Sequence, residues 1–289
     1  RREDLAETAV AAEPIPAALA DDAIARSALS EGGRGLLRGL LRTGTIRRFP
    51  GGGIGIEYGS LLKTAARPEY VGAHVREAAA QLREQAVDLL LVPGMSGYPI
   101  GAMYSAVSGI PAVLLKKVKA SDQNAADYPA GAFVIPSYTG EGDVVMHADP
   151  PAAQDIVDSI LAPQLAAQRD AARPLLSIRV AGADDIIDKA TMSHAVSESA
   201  IVIGRVAIAD FIRRHRARTG DARDFDQRVE VVAWVTPLIK GYNRPHEHLW
   251  AAFRIVPFAG LNVASVQLDP PAIGIDGVGV IAFPERDAG

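Results

Sequence analysis

The run from residue 87 to residue 117 narrows the fold most. Val87-Asp88-Leu89-Leu90-Leu91-Val92-Pro93 is a continuous apolar strand, the pattern of a strand buried on both faces of a parallel sheet. Gly94-Met95-Ser96-Gly97-Tyr98-Pro99 turns the chain into a helix predicted from about Ile100 to Ser108. Ile110-Pro111-Ala112-Val113-Leu114-Leu115-Lys116-Lys117 is the next strand. Strand, turn, helix, strand is a βαβ unit, which implies a right-handed crossover between parallel neighbours. Farther on, Leu175 to Ala183 reads as a buried strand that ends in Asp184-Asp185, followed by a tight turn and a helix predicted over 198–216. The expected class is α/β, an open, mainly parallel twisted sheet with flanking helices.

Around these units the chain punctuates itself. Residues 1–45 are Ala-rich, with two short helices predicted at 21–26 and 35–42. Residues 68–86 open on a Pro and place Tyr70, Val71, His74, Val75, Ala78 and Leu82 on one helical face. Residues 118–132 are polar and aperiodic, a loop long enough to act as a lid. Residues 133–138 and 143–147 read as a hairpin, and residues 152–168 as a helix that Pro163 should kink or split. Strands are expected at 228–235, 253–258 and 275–283. We divide the chain into N-terminal helices with a hood segment (1–62), an α/β core (63–236) and an irregular, β-rich C-terminal extension (237–289).

Composition excludes several classes. A formal net charge of -4 without a long Lys/Arg run argues against nucleic-acid binding. The absence of cysteine removes disulfides, thiolate nucleophiles and Cys-ligated metals together. No stretch reaches the ~18–20 apolar residues of a membrane helix. Arg1-Arg2-Glu3-Asp4 lacks a signal peptide's apolar core, so a cytoplasmic location is expected.

Ligands of open α/β sheets sit at the carboxyl ends of strands, where Asp184 and Asp185 fall. A turn whose backbone N–H groups converge ahead of a helix is an anion site. Carboxylates beside such a site suit a ligand with hydroxyls, or a metal next to a phosphate. A sugar phosphate with Mg²⁺ fits that description.

Asp184-Asp185-Ile186-Ile187-Asp188, followed by Lys189-Ala190-Thr191, resembles the PRPP-binding motif of type I phosphoribosyltransferases. That motif has two acids, two apolar residues, an acid and a Thr/Gly-rich turn. Ile46-Arg47-Arg48-Phe49-Pro50, Gly97-Tyr98-Pro99-Ile100-Gly101-Ala102, Gly109 to Lys117 and Ser137 to Asp149 resemble segments of the adenine phosphoribosyltransferases, in the same order. The chain departs from the pattern at Ser96, where the pyrophosphate loop carries Arg, and at Ser137, where the lid carries an acid. Lys189 and Ala190 stand in place of Thr and Gly.

The resemblance implies displacement of pyrophosphate from C1 of PRPP by a nitrogen nucleophile, in a homodimer and with Mg²⁺. In that reading Asp184 and Asp185 hold the ribose hydroxyls and the waters of Mg²⁺. Asp188 accepts a proton from the acceptor or shapes the turn. Lys189, Ala190, Thr191, Met192 and Ser193 wrap the 5′-phosphate, and Gly94, Met95, Ser96 and Gly97 cradle pyrophosphate. Lys116 or Lys117 points at the same anion, and Phe49 or Tyr138 stacks on a ring acceptor.

Three rival readings come from the residues. A serine hydrolase would use Ser96 with His246 or His248, although Tyr98 stands where the nucleophile elbow needs Gly. A metal site would use His246 and His248, which share one face if residues 246–248 are a strand. A non-catalytic PRPP-binding protein would keep the acids and lack the leaving-group Arg.

Overall fold

The computed structural model describes residues 17–48, 54–57, 66–119, 132–136 and 143–283. Helices α1 (Ala17–Ala25) and α2 (Glu31–Thr43) precede a small antiparallel pair, β1 (Thr45–Arg48) with β2 (Ile54–Glu57). Then come α3 (Pro68–Glu84), β3 (Leu89–Pro93), α4 (Tyr98–Ser108), β4 (Ala112–Lys119), β5 (Phe133–Pro136) and β6 (Asp143–His147). The second half contains α5 (Pro150–Ala167), β7 (Leu175–Ala183), β8 (Ile186–Ile187), α6 (Thr191–Thr219), β9 (Asp226–Ile239) and α7 (Pro245–Phe253). It ends with β10 (Phe258–Leu268), β11 (Pro271–Ile275) and β12 (Gly279–Ala282).

Apart from the β1–β2 pair, the strands join in one sheet of order β12-β11-β10-β9-β7-β3-β4-β6-β5, with β8 paired to β9. The central five, β10 to β4, are mutually parallel, and each flank is an antiparallel hairpin. This is the mixed α/β architecture with flanking helices that the apolar runs predict. Both faces of the centre are covered, which is why β3 is apolar at every position. Leu90 and Val92 pack toward α2, α3 and α4, while Leu89 and Leu91 pack toward α5 and α6.

Three expectations change. Pro163 does not split α5, which runs through it. The helix survives the missing N–H because two glutamines near Pro163 clamp it to β7. Gln164 bonds both backbone groups of Ser177, and Gln168 both of Leu175. Helix α6 begins at Thr191 rather than near 198, directly out of the turn. Of residues 253–258 only Phe258 is strand, the first residue of β10, while Phe253 ends α7 and 254–257 are loop, because Arg254 takes a left-handed conformation (φ 60°) that closes α7. Residues 237–283 extend the same sheet, since β9 itself runs to Ile239 and β10 to β12 follow it.

The N-terminal helices dock through a face of small residues. A Cβ on Gly35 would lie 2.8 Å from the carbonyl oxygen of Tyr70 in α3, whereas one on Gly72 would meet only the Arg76 guanidinium at 3.7 Å. Gly35→Ala is therefore expected to destabilise the fold by about 1–3 kcal/mol, as overpacking does. Gly72→Ala is expected to stabilise it by about 0.5–1 kcal/mol through helix propensity. Urea denaturation of the two variants checks the opposite signs.

Candidate functional site

Strands β7 and β3 are parallel neighbours, so their carboxyl ends open on the same edge of the sheet. Strand β7 delivers Asp184 and Asp185 there, and β3 delivers the turn 94–97. The two meet directly. A Cβ on Gly97 would sit 2.9 Å from Asp184 Oδ1 and 2.8 Å from the carbonyl oxygen of Pro93. Glycine at 97 is what lets the turn rest against the carboxylate. The turn is pinned on its other side, where the Tyr98 hydroxyl donates to the carbonyl oxygen of Leu115 at 2.7 Å. The Gly94–Met95 peptide is cis.

Both acids are nearly covered, with Asp184 8% and Asp185 4% exposed. Asp184 Oδ1 accepts from the backbone N–H of Asp185 at 2.9 Å, and the backbone N–H of Asp184 donates to Val235 on β9. Strand β8 then adds Ile186 and Ile187 to the edge of β9 before the chain turns. Ala190 holds φ 60°, ψ 5°, the left-handed region that favours glycine. The resembled motif carries Gly at this position. Helix α6 starts at the next residue with no side-chain cap. The first backbone N–H groups of a 29-residue helix are therefore available to an anion, and the helix dipole favours one.

The remaining turn residues divide by exposure. Lys189 and Thr191 are exposed, Met192 is half-buried, and Ala190 and Ser193 are buried. Asp188 is held by groups the sequence did not suggest. Its Oδ2 accepts from Lys240 Nζ at 3.0 Å, and its Oδ1 from the side-chain amide of Asn243. Lys240 is 5% exposed and follows β9 directly. Of the two roles open to Asp188, this arrangement favours shaping the turn. The only signal was a cation closing the apolar run Trp234 to Ile239, beside the strand that carries the acids. Tyr242 lies close by, and burial, then the Asp188 charge, push its phenol far above the ordinary range, so it stays protonated. Beneath the turn, buried Trp234 donates from Nε1 to Ser197 Oγ at 2.9 Å, tying β9 to the first turns of α6.

Lys116 and Lys117 are exposed, and Lys116 Nζ reaches Asp149 Oδ2 at 3.4 Å. Met95 is exposed and Ser96 half-buried. Phe49, Tyr138 and residues 120–131 of the expected lid lie outside the described residues.

Two rival readings lose their geometry. His246 and His248 are exposed on helix α7, not on a strand. Two positions apart on a helix, side chains point in nearly opposite directions and do not chelate. Among the described residues no cluster of three or more His, Cys, Asp and Glu is placed to hold a metal. Ser96 has no histidine hydrogen-bonded to it among the described residues. His74, His147, His194 and His215 bond to Tyr104, Ala148, Glu198 and Asp221. Among the described residues no helix is long and apolar enough to cross a membrane.

No protein-family model and no curated protein matches the chain. Solved structures that are similar to it are adenine phosphoribosyltransferases. The enzyme from Giardia lamblia, complexed with 9-deazaadenine, aligns with TM-score 0.46 at 11% identity, over 81% of this chain and 98% of that one. That from Rhodothermus marinus gives 0.42 at 14% identity, over 86% and 100%. That from Thermoanaerobacter pseudethanolicus gives 0.41 at 14%, over 72% and 88%. At these scores the likeness adds no weight to any residue's role.

Proposed function

We propose that this chain binds PRPP and transfers its 5-phosphoribosyl group to a nitrogen nucleophile, releasing pyrophosphate. One observation carries the reading. Asp184, at the end of β7, meets the turn after β3 at the carboxyl edge of the sheet, with Asp185 next to it and the uncapped start of α6 seven residues on. A ribose diol facing Asp184 and Asp185 leaves the 5′-phosphate on the amides of residues 190–193. The pyrophosphate at C1 then lies toward residues 94–97.

In the transfer the C1–O bond to pyrophosphate breaks and a C1–N bond forms. Positive charge grows on the ribose while negative charge grows on the leaving group. The acid pair orients the diol and its negative charge favours the cationic ring. The donors of the 94–97 turn favour the leaving anion.

The residues fit Mg²⁺. Two adjacent carboxylates with no third His, Cys, Asp or Glu among the described residues are too few for an all-protein cage. They suit an ion that keeps waters and takes phosphate oxygens. Asp184 and Asp185 would hold it, and when bound it supplies charge to the pyrophosphate.

One observation favours a second reading. Lys116 engages Asp149, and Ser96 stands in the turn where the resembled loop carries Arg. A protein that binds PRPP without transferring it would look like this. Assays decide between the two. PRPP with Mg²⁺ is expected to raise the melting temperature by several degrees, and omission of Mg²⁺ to remove most of that rise. Pyrophosphate release with a panel of nucleobase-like amines supports transfer. A thermal shift without release from any acceptor supports binding alone. No shift at all would end both readings.

A further inference from the structure

A cavity of about 430 Å³ lies between α5, α6 and the sheet, and neither residues 94–97 nor residues 184–193 line it. Its floor is Leu89, Leu91, Val113 and Leu115, with Ile178 and Val180 of β7. The sequence explains why it is there. Helix α6 turns Ala200 and Ala207 toward it, two turns apart on one helical face, and α5 presents Ala153. Residues this small leave the space between the two helices unfilled.

The helices are also kept from closing over it. Arg214 of α6 forms a bidentate pair with Asp158 of α5, at 2.7 and 2.6 Å, and bonds Asp210 on its own helix at 2.9 Å. Gln154 donates to the same Asp158 at 2.8 Å. This strut fixes the separation of α5 and α6 at the rim of the cavity. A partly open pocket lined by apolar side chains leaves those side chains without packed neighbours on one side, so they forfeit dispersion contacts there. The volume falls in the range of small-molecule pockets, roughly 300–1,000 Å³.

We infer that this cavity binds a neutral, largely apolar small molecule carrying one hydrogen-bonding group. Its apolar body rests on the leucines and valines of the sheet, and its polar end faces Ser199 and Gln154. Asp210 at the rim disfavours a carboxylate ligand, because the nearby Arg214 is already shared between two acids. The inference does not depend on the proposed transfer reaction, since the site shares no residue with it.

The probe is N-phenyl-1-naphthylamine, a neutral dye that brightens in apolar surroundings. The full chain is expected to bind it saturably, one per chain. 1-Decanol should displace it, and decanoate should compete at least about tenfold less well. Ala207→Phe fills the cavity from α6 and Ala153→Phe fills it from α5. Each should weaken binding about tenfold or more while the unfolding midpoint stays level or rises. If one variant fails to fold, the other decides. The inference is overturned if the parent chain shows no saturable binding, if the folded filling variants bind undiminished, or if decanoate competes as well as decanol. It is also overturned if sedimentation shows a dimer that the filling variants dissociate, because the cavity would then be an interface between copies.

Discussion

Acidification from pH 6.5 to pH 3 is expected to remove on the order of 5 kcal/mol of folding stability through His74 alone. His74 is fully buried on α3, and burial lowers its pKa from 6.5 to about 3. Its Nε2 bonds the Tyr104 hydroxyl at 2.7 Å, its ring stacks on Phe258 at 5.8 Å, and its Nδ1 has no hydrogen-bond partner. A proton on Nε2 leaves only a lone pair unsatisfied at Nδ1, so the neutral ring suits the site and a second proton does not. Above pH 6.5 the folded and unfolded chains both hold the neutral ring, and the contribution is fully present. Between pH 6.5 and about 3 the unfolded chain takes up a proton that the folded chain refuses. The folding constant then falls about tenfold per pH unit. His74→Gln keeps a partner for Tyr104 and removes the titration. Urea denaturation at stepped pH should show the variant losing markedly less stability over this range than the parent. Parallel curves for the two proteins would contradict the assignment.

Lys240→Met should cost roughly 3–5 kcal/mol, because it removes the cation facing the Asp188 carboxylate in a largely buried setting. The side chains of Lys240 and Asp188 are only 6% and 16% exposed, so solvent screens little of the loss. Adding Asp188→Asn to Lys240→Met should recover most of it, since a buried ion pair replaced as a unit is close to neutral. Urea denaturation of the single and double variants measures the coupling. A single variant as stable as the parent would mean that the pair does not hold the turn.

Much of the fold was legible from short-range pattern. The apolar run 87–93 and the residues around it foretold β3, α4 and β4, because a strand covered on both faces must be apolar throughout. The 3.6-residue spacing of residues 70–82 placed His74 on the buried face of α3. What the pattern lacked was the other side of each contact. Tyr104 and Phe258, which fix the state of His74, lie 30 and more residues away, on α4 and β10. Lys240 was missed for the same reason. Its meeting with Asp188 depends on β8 and β9 pairing in register, Ile187 opposite Ile239. Arg254 took residues 253–257 out of the strand class through a backbone angle that sequence propensity does not encode. At the site, the acids and the two turns were legible as motifs. That Gly97 touches Asp184 was not, because that contact needs β3 and β7 to be neighbours.

Calorimetric titration of PRPP in the presence of Mg²⁺, into the parent chain and into Asp184→Asn/Asp185→Asn, tests the proposed ligand most directly. The parent should bind one PRPP per chain, and the double variant about 100-fold more weakly or not at all, while both melt at similar temperatures without ligand. Equal binding by the two proteins, or none by the parent, would contradict it.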